Sequence, residues 1–228
     1  MSTTRLRRIG LAAAVGYGLG SVSWADFAAR RATSGQVDLR AAGSGNPGAL
    51  NAIETLGKRW GVAVAVADVA KGATASVVGR AIGGDIGAHA GGIAAVAGHC
   101  YPVWTGFRGG KGVAAASGHC IATFPAAVPI EIVAGAVGIL GPFKRRSHTT
   151  AVLMATTWVA TSLLWWQRRW PNPWGPTPTI ALPIAATASS ALVLHRFSNQ
   201  KPNPGNIGAR SSNEFSAGSQ RGSAPYDS

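Results

Sequence analysis

Charged side chains are scarce in this sequence of 228 residues, at 13%, and acidic ones are scarcer, with Asp and Glu numbering 8 together. A soluble globular domain carries about 25% charged residues, so this composition does not supply an ordinary water-facing surface. Cysteine is nearly absent: Cys100 and Cys120 both stand in apolar sequence and give no support to a disulfide framework. The 31 glycines keep no three-residue period, which excludes a collagen-like chain.

What is abundant is apolar, at 46% of residues with a mean hydropathy of +0.16, and this excludes disorder for the bulk of the chain. Richness in Gly and Ala is what lets helices approach closely in lipid. The formal net charge of +13 would suggest nucleic acid on a soluble protein. Here the basic residues cluster between apolar runs, at Arg30–Arg31, Lys58–Arg59, Lys144–Arg146 and Arg168–Arg169. That spacing fits loops that set membrane topology and meet anionic headgroups, and argues against nucleic acid as a partner.

A spanning helix needs about 20 mostly apolar residues. Candidate segments are Ile9–Ala29, Val62–Ile82, Ile86–Trp104, Val113–Leu140, Ala151–Trp166 and Ile180–Leu194. Pro125 and Pro129 interrupt the fourth, which is either one kinked helix or two joined at Phe124–Ala126. The split gives an all-α, polytopic integral membrane bundle of about seven transmembrane helices, with the N-terminus outside and the C-terminus cytosolic. Most basic residues, Arg40, Lys58, Arg108, Lys111 and Lys144 among them, then lie inside, as the positive-inside rule asks. Arg5, Arg7 and Arg8 pull the other way, and with Ile9–Leu19 and Ser23-Trp24-Ala25 they imitate a secretory leader. Residues 1–197 are expected to form the membrane domain. Residues 198–228 are polar and rich in Gly, Ser, Asn and Pro, and are expected to form a disordered cytosolic tail.

Two loops carry the strongest chemical signals. The first, from Asp38 to Asn51, sets Ser44 between Gly43 and Gly45 and adds the amides of Asn46 and Asn51. Glycines let backbone N–H groups converge on an anion, and Arg40 offers a bidentate phosphate contact. The alternative is an ordinary Gly/Asn/Pro turn between helices. In the second loop, Arg108-Gly109-Gly110-Lys111-Gly112 opens an apolar run, so its amides stand at a helix N-terminus where an anion is favoured. It lacks the spacing and the Ser or Thr of a nucleotide P-loop. Further on, His195-Arg196 ends the last apolar segment, placing an acid–base group at the membrane boundary or simply capping a helix. Asp68 and Lys71, at i and i+3 inside a segment, can pair across one turn and line a functional path or join helices. His99-Cys100 and His119-Cys120 fit packing better than a metal site, and Trp165–Trp174 fits an interfacial aromatic belt.

These loops resemble the bacterial acyl-phosphate:glycerol-3-phosphate acyltransferase family. The matching pieces are Gly20-Ser-Val, Ala28-Ala-Arg30, Asp38-Leu-Arg40, Gly43-Ser-Gly-Asn46, Gly48-Ala49 and Asn51. Asp68-Val-Ala-Lys71-Gly72, Gly98-His99, Pro102-Val103, Gly109-Gly-Lys-Gly-Val113 and His195-Arg196 follow in order. The resemblance implies a multi-pass enzyme of the plasma or inner membrane, with neither metal nor nucleotide cofactor. It implies transfer of a fatty acyl group from acyl phosphate to glycerol 3-phosphate, giving lysophosphatidic acid for phospholipid synthesis. On that reading Ser44 and His195 are the catalytic residues. Arg40, Gly43, Gly45, Asn46, Asn51, Arg108, Gly109, Gly110, Lys111, Gly112 and Asn199 bind substrate. The chain departs from the family at Leu50, where Thr is usual, at Glu54, where a phosphate-binding Arg is usual, and at Ser198, which takes the Asn position of the third motif. Asn199 or Asn206-Ile207 must substitute there. Two other expectations compete: a weak or inactive paralogue that keeps the fold, and a small transporter built around Asp68 and Lys71.

Overall fold

The computed structural model describes residues 2–199, and among them every regular element is helical. Lys201, Asn206-Ile207, Arg210 and Arg221, with the rest of the expected tail beyond Asn199, lie outside the described residues.

Helix α1 spans Thr3–Gly20 and α2 spans Trp24–Thr33. The expected single segment Ile9–Ala29 is therefore two elements. The cause is local: the Ser23 hydroxyl accepts the Asp26 N–H at 3.4 Å and starts a new helix. A short helix the sequence did not announce, α3 (Ala49–Leu56), follows the first glycine loop. The longest element, α4 (Lys58–Cys100), breaks at Gly83-Gly84, where Gly84 takes φ +66°. Its arms, 58–82 and 85–100, fold back antiparallel: Gly79 meets Gly87, Ala75 meets Gly91 and Asp68 reaches His99.

After a loop come α5 (Val113–Thr123), a 3₁₀ turn over Pro125–Ala127, and α6 (Val128–Leu140). The chain bends by 115° between them, as Pro125 removes a backbone donor at the break. Of the two readings of Val113–Leu140, two helices is the one observed. Helices α7 (Arg146–Arg168) and α8 (Ala181–Asn199) complete the bundle. By length and composition, the stretch Lys58–Thr105 is apolar enough to cross a membrane, and the bent α5–α6 pair passes the same test jointly.

Small residues hold the bundle together. A side chain on Gly16 or Gly20 of α1 would collide with backbone of Gly91 or Ala95 in α4. Gly72 against Ala115 and Gly118 against Val69 bring α4 and α5 equally close. The helices run between two ends. At one, Arg80 Nε donates to Asp85 Oδ1 (3.1 Å), the Thr177 N–H donates to Asp85 Oδ2 (3.2 Å), and Asn172 Nδ2 donates to the Thr123 carbonyl (2.9 Å). At the other lie both glycine loops and the C-terminal turn of α8.

Candidate active site

The first loop is shaped by one buried amide. Asn51, on α3, gives its two N–H groups to the Leu39 carbonyl (2.9 Å) and the Ala42 carbonyl (3.1 Å). Its Oδ1 accepts the Ser44 backbone N–H (2.9 Å). Gly43, at φ +54°, lies so close to that oxygen that a Cβ would strike it. The result is a tight turn with Ser44 exposed at its tip, Gly45 beside it, and Asn46 Oδ1 buried without a hydrogen-bond partner among the described residues. Glu54 is exposed on α3 and forms no ion pair among the described residues.

The second loop packs on the end of α4. The Gly110 N–H donates to the His99 carbonyl (3.0 Å), and a Cβ on Gly110 would meet His99 Nε2. Gly112, at φ +85°, caps α5 without any side chain, so the first amides of that helix stay open. Lys111 stands over the Phe197 ring of α8, with Nζ 4.4 Å from the centroid. Burial pushes the Lys111 ammonium below its ordinary range, and the nearby Arg196 charge pushes it further the same way. A cation held in that state gains from an incoming anion, whose opposite charge offsets both causes.

Arg40 and Arg196 tie the loops to each other. Arg40 places two guanidinium N–H groups on the Asp26 carboxylate and gives Nε–H to the Arg108 carbonyl (2.7 Å), which joins the first loop to the second. Arg40 is thus no free fork for phosphate, as the sequence had suggested. Arg108 itself is exposed. Arg196 gives NH2 to the Gly109 carbonyl (2.7 Å) and Nε–H to the Gly110 carbonyl (3.2 Å), bringing in the third motif. One residue away, His195 is exposed, and Asn199 Nδ2 lies 2.9 Å from its Nε2. Ser198 turns its hydroxyl back to the Leu194 carbonyl (3.1 Å), so Asn199 is the residue of the pair that meets the histidine. All three motifs meet at one end of the bundle, with Ser44 and Lys111 on linked loops.

The chain matches the family model for glycerol-3-phosphate acyltransferase over residues 10–202. A glycerol-3-phosphate acyltransferase of Pseudomonas paraeruginosa is 40% identical over 187 residues, covering 82% of this chain and 90% of the relative. One of Pseudomonas syringae pv. syringae is 36% identical over 181 residues, covering 79% and 86%. The chain belongs to the glycerol-3-phosphate acyltransferase family. The fold agrees: it resembles the crystal structure of PlsY (YgiH), an integral membrane glycerol 3-phosphate acyltransferase, in its glycerol 3-phosphate form. That likeness has a TM-score of 0.66 at 28% identity and covers 83% of this chain and 88% of the other. The lysophosphatidic acid form of PlsY gives a TM-score of 0.63 at 26% identity, covering 90% and 92%.

For an acyltransferase of this family, two further features of the site matter. Asp68 and Lys71 pair at 2.9 Å, and the cavity beside them is water-sized, about 10 Å³, wedged between Ser21, Pro47 and Gly110. The second feature is an apolar trough of about 380 Å³ that starts at Val113 and Val193, next to the loops, and runs between α5, α6 and α7. On α5 it is lined by Val113, Ala116, Ser117, Cys120 and Ile121, one face of the helix. Of the His-Cys pairs, His119 is buried with Nδ1 3.0 Å from Ser189 Oγ, and no metal cluster occurs among the described residues. The sequence reading passed over Asp26 as the partner of Arg40 and Arg196 as the holder of the second loop. No signal in a single sequence marks either, because both partnerships are with residues remote along the chain.

Proposed function

We propose that this chain transfers a fatty acyl group from acyl phosphate to the first-carbon hydroxyl of glycerol 3-phosphate, forming lysophosphatidic acid. The observation that carries the reading is the convergence of two glycine-lined loops, joined by the Arg40–Arg108 hydrogen bond, at the mouth of an apolar trough. Both substrates bear phosphoryl groups, so the site needs two anion cradles; one substrate bears a long alkyl chain, so it needs an apolar channel. The Ser44 turn is one cradle. Lys111 and the open amides after Gly112 are the other. Asn51 and Arg40 shape and link the cradles rather than touch phosphate, and exposed Arg108 is left free to meet it.

Acyl phosphate is a mixed anhydride and already activated. The hydroxyl oxygen forms a bond to the acyl carbon, the bond from that carbon to the phosphate oxygen breaks, and phosphate leaves with the electron pair while the hydroxyl proton passes to a phosphate oxygen. His195, steadied by Asn199, donates a hydrogen bond to the reacting oxygen. Alignment of the two bound groups supplies much of the rate.

The membrane arrangement belongs to the same proposal. The helices α1, the two arms of α4, and α5 to α8 make seven traverses between the ends of the bundle. We read these as crossings of the plasma or inner membrane, with the site and C-terminus cytosolic and the N-terminus outside. Residues 1–197 are the catalytic domain and 198–228 its polar tail. Helix α5 has 11 residues, about 16 Å at the helical rise, which is shorter than the hydrocarbon core, so at least one of its ends lies within the depth of the bilayer.

The experiment is lysophosphatidic acid formation by purified protein given acyl phosphate and glycerol 3-phosphate, with Glu54→Arg alongside. Turnover by the natural chain supports the reading, since an exposed Glu54 leaves the cradles clear. No turnover in either protein sinks it. Turnover by Glu54→Arg alone makes this chain the inactive paralogue.

A further inference from the structure

The buried ion pair inside α4 is not isolated. Asp68 and Lys71 are both more than nine-tenths buried, with side-chain exposures of 3% and 6%. Lys71 Nζ also donates to the Val22 carbonyl (2.9 Å), in the break between α1 and α2. Asp68 Oδ1 lies 3.5 Å from His99 Nδ1, and the His99 carbonyl accepts the Gly110 N–H (3.0 Å) of the second loop. On the other side, α2 carries Asp26, which holds Arg40, and Arg40 reaches the Arg108 carbonyl of that same loop. These contacts close on themselves. From α4 one path runs through His99 to Gly110, and the other runs through Val22, α2 and Arg40 to Arg108, two residues away.

We propose that this closed circuit is a positioning device, in which the Asp68–Lys71 pair fixes the separation of the two phosphate cradles. The inference rests on the functional reading above. It goes beyond that reading by giving a role to residues that touch neither substrate. The physical reason is the cost of misplacement. A hydroxyl and an acyl carbon held in line react fast, and a shift of about 1 Å can cost about a hundredfold in rate. A charge pair buried in lipid is expensive unless each member keeps its partners, and here every partner is a point on the frame of the site. The circuit therefore holds each cradle relative to the other, while each cradle binds through its own amides.

The test is a double-mutant cycle on the full chain. One arm is Asp68→Asn with Lys71→Met, which removes both charges together and leaves none unpaired. The other is Asp26→Ala, at the edge of the circuit where the carboxylate is 25% exposed, with Asp26→Asn alongside as the isosteric variant that keeps an acceptor for Arg40. Each arm is expected to lower kcat by about 10- to 100-fold, with KM for glycerol 3-phosphate changing by no more than about twofold. Combining them is expected to add nothing, because a ring once opened is not opened further. Losses that multiply, an unchanged kcat, or a change confined to the yield of folded protein would overturn the proposal. A second measurement needs no turnover: spin labels at exposed positions 44 and 108 are expected to give one narrow distance distribution in the natural background and a broadened one in either arm. Equal distributions would overturn it even in an inactive protein, whereas inactivity of the natural chain alone counts against the acyl-transfer reading.

Discussion

Lys111 concentrates the chemistry of the second cradle in one side chain. In the proposed reaction its ammonium is the cation that meets a phosphoryl group, so Lys111→Ala is expected to lose about 10²- to 10³-fold in kcat/KM with normal expression in membranes. Full activity would remove Lys111 from the site. Its pKa lies below the ordinary 10.5 because burial, then Arg196, disfavour the charge. On that proposal the protonated form is the one that binds, so phosphate affinity is lost as pH rises through that lowered value. Lys111→Arg keeps its charge to higher pH, and the alkaline rise in KM should retreat upward; an unmoved limb would show that another group titrates. Asn51 is the matching residue of the first cradle. Replacing it by Ala strips partners from the Leu39 and Ala42 carbonyls and the Ser44 N–H, which should destabilise the loop by about 1–3 kcal/mol, read as a lower melting temperature together with lost activity. Ser44, Lys111 and His195 were legible as residue types in glycine-rich or boundary contexts. Asn51 and Arg40 were legible only as polar groups: whether a donor points at substrate or at backbone depends on where neighbouring carbonyls fall.

Helices here meet through absent side chains. Gly16 and Gly20 of α1 press on Gly91 and Ala95 of α4, and Gly118 of α5 presses on Val69. Gly91→Leu is therefore expected to push apart the two arms of α4, because its side chain would enter the backbone of Ala75, giving a sharp fall in detergent-stable protein on size-exclusion chromatography. A Gly10→Leu control, with open space around it, should leave the elution unchanged. Equal behaviour of the two would show that close approach does not hold the bundle. Apolar runs, proline and charge clusters located most helices in the sequence. They merged α1 with α2, because Ser23 caps a helix within an apolar stretch, and they missed α3, whose eight residues are too few to show a period.

Across the whole molecule, charge and contact agree on two faces. Arg80 and Asp85 at the α4 turn share one end with the α7–α8 loop; Arg40, Arg108 and Arg196 share the other. The natural cysteines, Cys100 and Cys120, are buried, so single engineered cysteines report topology cleanly. Ser44→Cys should label with an impermeant thiol reagent only from the cytosol, and Arg169→Cys only from outside; labelling of both from one side would overturn the seven-crossing arrangement. Composition alone determined that this chain belongs with lipid, since too few charges exist to clothe it in water. Local order along the chain determined where glycines, lysine and histidine could face an anion, because such loops are written in neighbouring residues. Which of those groups face one another was decided only by the folded bundle. Asp26 meets Arg40, and Asp68 reaches His99 across a hairpin, because close helix packing brings remote backbone together, and distance in space is not encoded in spacing along the chain.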